Sequence, residues 1–126
     1  MKLFIATLLT FFAFEAMASE HMLKESQYEY VKESVGKGQP YFLEVGSDSC
    51  RSCQVMSAKL YEVTLKNPEF NIHFINVKKD RDAAHQLEIR MIPTQIIYDE
   101  KGKEVYRHIG ILETDELSEL FKTHKF

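Results

Sequence analysis

The chain has 126 residues, 44% of them hydrophobic and 28% charged, with a formal net charge of −3. That composition fits a single ordinary globular domain: the chain is short for two domains, too apolar for a disordered one, and its charge excludes a basic nucleic-acid binder.

Residues 1–18, MKLFIATLLTFFAFEAMA, differ from the rest. Lys2 gives a positive start, Leu3 to Phe14 is an apolar run, and Ala16-Met17-Ala18 supplies the small residues of a cleavage site. The pattern predicts a secretory signal peptide removed before Ser19 and a mature protein in the periplasm, where thiol pairs can be oxidised. The run is shorter than the roughly 20 residues needed to span hydrocarbon, so an uncleaved inner-membrane anchor is the alternative reading. Residues 19–27 are polar and weakly patterned and predict a flexible tail.

From Tyr28 onward the periodicity organises one domain, 28–126. Tyr28, Val31 and Val35 recur at helical spacing until Gly36 and Gly38 stop the pattern. Pro40 introduces YFLEV, an apolar run suited to a strand buried on both faces. From Cys50 to Lys66 the pattern is again helical, with Val55, Met56, Leu60, Val63 and Leu65 forming a broad apolar face and Asn67-Pro68 ending it. FNIHFINV reads as the next strand, parallel to the first across a right-handed crossover. Asp80 to Glu88 predicts a short helix. Two β-rich stretches around Asp99-Glu100-Lys101-Gly102 predict a hairpin. The final helix has Thr114 as its expected cap and Leu117, Leu120 and Phe121 on one face.

The chain's only cysteines, Cys50 and Cys53, stand two residues apart at the predicted start of a helix. There the unpaired N–H groups and the helix dipole stabilise a thiolate at Cys50, which makes it the attacking sulfur. Cys53, one turn further in, is placed to resolve a mixed disulfide. Zinc is the chemical rival, but a closed site needs four ligands, there is no second cysteine pair, and neither His73 nor His85 stands at a ligand-like spacing. A purely structural disulfide would close too small a loop to remove much unfolded-state entropy.

Cys50-Arg51-Ser52-Cys53 after a buried strand, Met91-Ile92-Pro93-Thr94 about forty residues later, a hairpin with Gly110 after it and a C-terminal helix together resemble the thioredoxin superfamily over Tyr28 to Phe126. The resemblance implies an α/β thioredoxin fold, a central mixed β-sheet of about four strands flanked by helices. It also implies a thiol:disulfide oxidoreductase in which Pro93 is cis and, with Ile92 and Arg51, belongs to the surface that meets a substrate. Glu44, six residues before Cys50, stands where the family often has a buried acid. Phe42 and Glu44 share one strand face, so the carboxyl is placed to exchange a proton with Cys53. No cofactor or metal is implied beyond the Cys50–Cys53 pair.

Several positions depart from the family pattern. Ser49 replaces the tryptophan before the first cysteine, Phe74 stands where thioredoxin has a lysine paired with the buried acid, and Arg51-Ser52 replaces Gly-Pro. Ile92 before Pro93 and the lack of a helical insertion resemble reducing members. A reductant is therefore the expected direction, acting as a monomer on client proteins with thiols or disulfides and recharged by an inner-membrane thiol donor. An oxidant or isomerase of the same fold, exchanging with a membrane acceptor, and a redox-inactive partner-binding module are the competing readings. His85 and His108 read as helix-surface and strand-surface residues. Phe42, Phe70, Phe74, Tyr98 and Phe121 read as core.

Overall fold

A computed structural model describes residues 21–126. The leader expected at 1–18 lies outside the described residues. In chain order the elements are α1 (Tyr28–Ser34), β1 (Tyr41–Gly46), α2 (Arg51–Lys66), β2 (Ile72–Asn76), α3 (Arg81–Gln86), β3 (Thr94–Tyr98), β4 (Glu104–Ile109) and α4 (Thr114–Thr123). The four strands form one sheet in the order β2-β1-β3-β4. β1 and β2 run parallel, while β3 is antiparallel to both β1 and β4.

The period of two along a strand divides the interior into two cores. Tyr41, Leu43 and Val45 of β1 face α1 and α3 with Val31, Ile75, Ala83, Leu87 and Ile96. Phe42 faces the opposite way and joins Met56, Leu60, Ile72, Ile97, Leu112, Leu117 and Phe121 beneath α2 and α4. All six residues of β1 are buried, as a strand covered on both faces requires.

Helix ends follow local chemistry. Asp80 serves two helices at once, accepting from Ala83 N at 3.2 Å at the start of α3 and from Tyr28 N at 3.2 Å at the start of α1. Asn67 closes α2, its side-chain amide donating to Val63 O at 3.1 Å. In the hairpin, the Asp99 carboxylate accepts from Lys101 N and Lys103 N, both at 2.9 Å, and Gly102 takes the φ of +86° that the turn demands.

Three expectations need correction. Val55 and Leu65 do not belong to the buried face of α2. They are 41% and 59% exposed, because the stripe that meets the sheet and α4 is made of Cys53, Met56, Ser57 and Leu60, with Val63 half-buried at its end. Thr114 does not cap α4: the cap is Glu113, whose N–H donates to the Glu116 carboxylate at 2.8 Å. Residues 23–26, expected within a flexible tail, lie along β2 instead. Glu25 bridges to Phe74, Ser26 N donates to Phe74 O at 2.7 Å, and Leu23 N donates to Ser57 Oγ at 3.0 Å. The exposed edge of β2 supplies the unpaired groups that draw this segment in.

Candidate functional site

The site is built where β1 ends. Gly46 closes the strand, Ser47 to Ser49 form a short loop, and Cys50 becomes the N-cap of α2 with extended φ and ψ of −94° and 120°. Gln54 ties this loop down by donating to Asp48 O at 2.7 Å. Cys50 and Cys53 form a disulfide across the first turn, with their Cα atoms 5.1 Å apart. The Cys50 sulfur also accepts from Cys53 N at 3.3 Å and lies 3.3 Å from the Ser52 hydroxyl. Two donors therefore lie against the Cys50 sulfur, at the N-terminus of the helix. Cys50 is half-buried, whereas Cys53 is 2% exposed. Arg51 is exposed beside them, at the first position of the helix.

The strand beneath has made room for the pair. A β-carbon placed on Gly46 would lie 2.9 Å from Cys53 Sγ and 3.1 Å from Cys53 Cβ, so only glycine permits α2 to approach so closely. Glu44 lies two residues back on the same strand face and is fully buried. Burial pushes its carboxyl well above the usual carboxylate range, and the Gln95 amide, which donates to both carboxylate oxygens at 3.3 and 3.2 Å, partly opposes that shift. In the register, Glu44 has Phe74 on one side and Gln95 on the other.

Pro93 is buried immediately before β3, and the Ile92–Pro93 peptide bond is cis. Because Val45 pairs with Thr94, Pro93 follows at the end of β3 that adjoins Gly46 and hence the cysteine turn. Its carbonyl accepts from Gly110 N at 2.8 Å, bringing the end of β4 alongside. Around this point Met91 is 64%, Ile109 48% and Ile111 38% exposed, with Ile92 half-buried among them. Among the described residues no group of three or more His, Cys, Asp or Glu side chains is arranged to hold a metal ion.

Two residues of this neighbourhood escape a reading of the sequence. Gln95 is a fully buried amide inside an apolar strand, and His108, expected at the strand surface, is half-buried with Nδ1 2.8 Å from Gln95 Oε1. A glutamine interrupting TQIIY is the only local signal for either. His85 is exposed on α3.

A two-cysteine disulfide across the first turn of a helix, set at the carboxyl end of a buried strand, defines the class: a thiol:disulfide oxidoreductase. The comparisons agree with it. Residues 28–125 match the family model described as a thioredoxin-like domain, and the chain belongs to that family. It is 24% identical over 104 residues to a thioredoxin of Chlamydia trachomatis serovar D, covering 82% of this chain and all of that one. It is 29% identical over 73 residues to a thioredoxin of Mycoplasmoides gallisepticum, covering 58% and 72% of the two chains. Among solved structures, chloroplastic thioredoxin z superposes with a TM-score of 0.73 at 16% identity over 82% of this chain and 95% of that one. Fasciola hepatica thioredoxin superposes with a TM-score of 0.65 at 23% identity, covering 77% and 89%.

Proposed function

We propose that this protein is a periplasmic reductant of protein disulfides, exported by its N-terminal segment and recharged by an inner-membrane thiol donor. The observation that carries the chemistry is the unequal burial of two sulfurs on one helical turn. In the reduced protein the half-buried Cys50 thiolate attacks a client disulfide, forming a mixed disulfide and expelling one client thiolate. Cys53, enclosed and out of reach of the client, gives its proton to the Glu44 carboxylate. Its sulfur then attacks Cys50 Sγ, which restores the Cys50–Cys53 disulfide and releases the second client thiolate. Two electrons pass to the client and reside in the cysteine pair beforehand, so the exchange itself calls for no organic cofactor.

The client would dock over Pro93 as an extended peptide, beside the exposed apolar side chains of Met91, Ile109 and Ile111 and the half-buried Ile92. Arg51 adds a positive charge at the rim. The reducing direction is supported by Ile92 before Pro93 and by the short connection between β2 and β3, which consists of α3 and its flanking turns.

Equilibration of the mature protein against glutathione or dithiothreitol tests the direction. A potential near about −270 mV is expected, and one near about −120 mV would make the protein a disulfide donor instead. In the same preparation Cys53→Ser is expected to accumulate a mixed disulfide with clients through Cys50. A binding module with inert cysteines would accumulate none. Amino-terminal sequencing of protein recovered from the periplasmic fraction is expected to begin at Ser19, and a cytoplasmic, full-length product would overturn the placement.

A further inference from the structure

Glu44, Gln95 and His108 lie side by side on neighbouring strands, in direct register across β1, β3 and β4. Their side chains form one hydrogen-bonded chain from the floor of the cysteine turn to the half-buried face of β4. We propose that His108 is a positioning residue of the redox centre, acting through the Gln95 amide to set which protonation state of Glu44 is hydrogen-bonded. The proposal rests on the reading of Glu44 as the acceptor of the Cys53 proton.

The argument follows from which atoms can donate. Gln95 Nε2 faces both oxygens of Glu44, so Oε1 faces His108 and can only accept; Nδ1 of His108 must then carry the proton. This arrangement suits an ionised Glu44. When Glu44 takes the proton of Cys53, one of the two oxygens that face Gln95 carries an O–H, and turning the amide over to present Oε1 gives that O–H an acceptor. Nε2 then faces His108, which must offer a lone pair at Nδ1 and hold its proton at Nε2 instead. The imidazole exchanges these two protons with solvent, so its own charge is unchanged.

A charged imidazolium has N–H at both nitrogens and cannot accept. It holds the amide with Nε2 toward Glu44 and keeps that carboxylate ready for the Cys53 proton. The groups that share this arrangement are few. Glu44 has Phe74 of β2 and Gln95 of β3 beside it, and Gly46, two residues further along the same strand face, meets Cys53 of α2. His108 has Gln95, the Tyr106 ring stacked at 6.5 Å on its own strand and, beyond that ring, His124 and Glu116 of α4.

The wild-type protein provides the primary test. Two-bond proton–nitrogen correlation spectra report the tautomer of His108, and the side-chain carboxyl carbon shift of Glu44 reports its ionisation, both followed from about pH 5 to pH 9. We expect Nδ1–H while Glu44 is ionised and Nε2–H when it is protonated, with the two changes sharing one midpoint. A His108 that keeps a single tautomer while Glu44 titrates would overturn the proposal and leave Glu44 as the acceptor untouched. If Glu44→Gln resolves the mixed disulfide at the wild-type rate and with the wild-type pH profile, the acceptor reading fails first and the proposal fails with it.

Substitution gives a second readout. His108→Phe fills similar space without a hydrogen bond and frees Gln95, so the acid limb of the pH–rate profile for mixed-disulfide resolution is expected to move to higher pH. At pH values on that limb the rate falls about three- to tenfold, the order of effect that a lost hydrogen bond to a charged group produces. His108→Asn keeps an amide near the Nδ1 position and is expected to move the limb back. A limb unmoved in His108→Phe would contradict the proposal.

Discussion

The buried carboxyl of Glu44 makes the stability of this fold depend on pH in a way that a single isosteric change should abolish. Its carboxyl is raised well above its ordinary value, chiefly by burial, with the Gln95 hydrogen bond acting the other way. In the unfolded chain the same group titrates at about 4.3. Below that pH both states hold the proton and the favourable contribution is complete. As pH rises from there toward the folded-state value, the native protein holds one proton more than the unfolded chain, so unfolding becomes easier with increasing pH. One proton corresponds to a slope of about 1.4 kcal/mol per pH unit throughout that window. For a domain of this size that is roughly 4–8 °C in Tm for each kcal/mol.

Glu44→Gln has nearly the same shape, keeps an oxygen to accept from Gln95, and carries no titrating group. The stability difference between variant and wild type, measured by urea unfolding of the oxidised proteins from pH 4 to pH 8, cancels every other titrating group to first order. It should be close to zero at pH 4, grow in favour of the variant at about 1.4 kcal/mol per unit once pH passes about 5, and level off once pH passes the folded-state value, above which Glu44 is a carboxylate in the fold as well. Parallel curves across the range would refute the reasoning, since they would mean that Glu44 ionises in the fold as it does in water. A variant less stable than wild type at pH 8 would show that the carboxylate is stabilised by its surroundings instead.

Other changes test other parts of the account. Gly46→Ala drives a β-carbon to within 2.9 Å of Cys53 Sγ, a side chain tied down by its disulfide, and should cost about 1–3 kcal/mol in urea unfolding while shifting the reduction potential; wild-type stability would contradict the close approach. Leu60→Ala removes a fully buried side chain from the core beneath α2 and should cost about 3 kcal/mol by the same assay, a value below about 1 kcal/mol indicating a loosely filled core. Cys50→Ser leaves a good N-cap in place, because a serine hydroxyl accepts from the N–H of residue 53 as the sulfur does. It should abolish turnover yet keep the circular dichroism spectrum of α2, compared with Cys53→Ser as the other single-cysteine protein, and a loss of helix signal in Cys50→Ser alone would show that the sulfur has a further structural role.

Much of the fold is legible in the sequence because its signals are local. The apolar run that buries β1 on both faces, the turn chemistry at Asp99 to Gly102, the Asn67-Pro68 stop and the two cysteines at a helix start are all properties of short segments. These determine the order of elements and the position of the redox pair. The errors arise where an element meets something distant. Val55 and Leu65 are apolar at helical spacing, yet the sheet touches a narrower stripe of α2 than that pattern suggests. Residues 23–26 carry no pattern of their own and are ordered by the open edge of β2.

The site divides in the same way. Cys50, Cys53 and Pro93 stand out by residue type and spacing, because thiol chemistry needs a pair within one helical turn. Glu44 is legible too, from its place on the strand six residues before Cys50, but its hydrogen-bonded partners become visible only once the strands are aligned. Glu44, Gln95 and His108 are separated by 51 and 13 residues along the chain and meet because sheet pairing places them opposite one another. A one-residue slip of either register would turn Gln95 to the other face of the sheet and break the chain. The sequence by itself therefore determined the cysteine pair and the acid two residues before the end of β1, while the tertiary register decided that Gln95 and His108 hydrogen-bond in line with that acid.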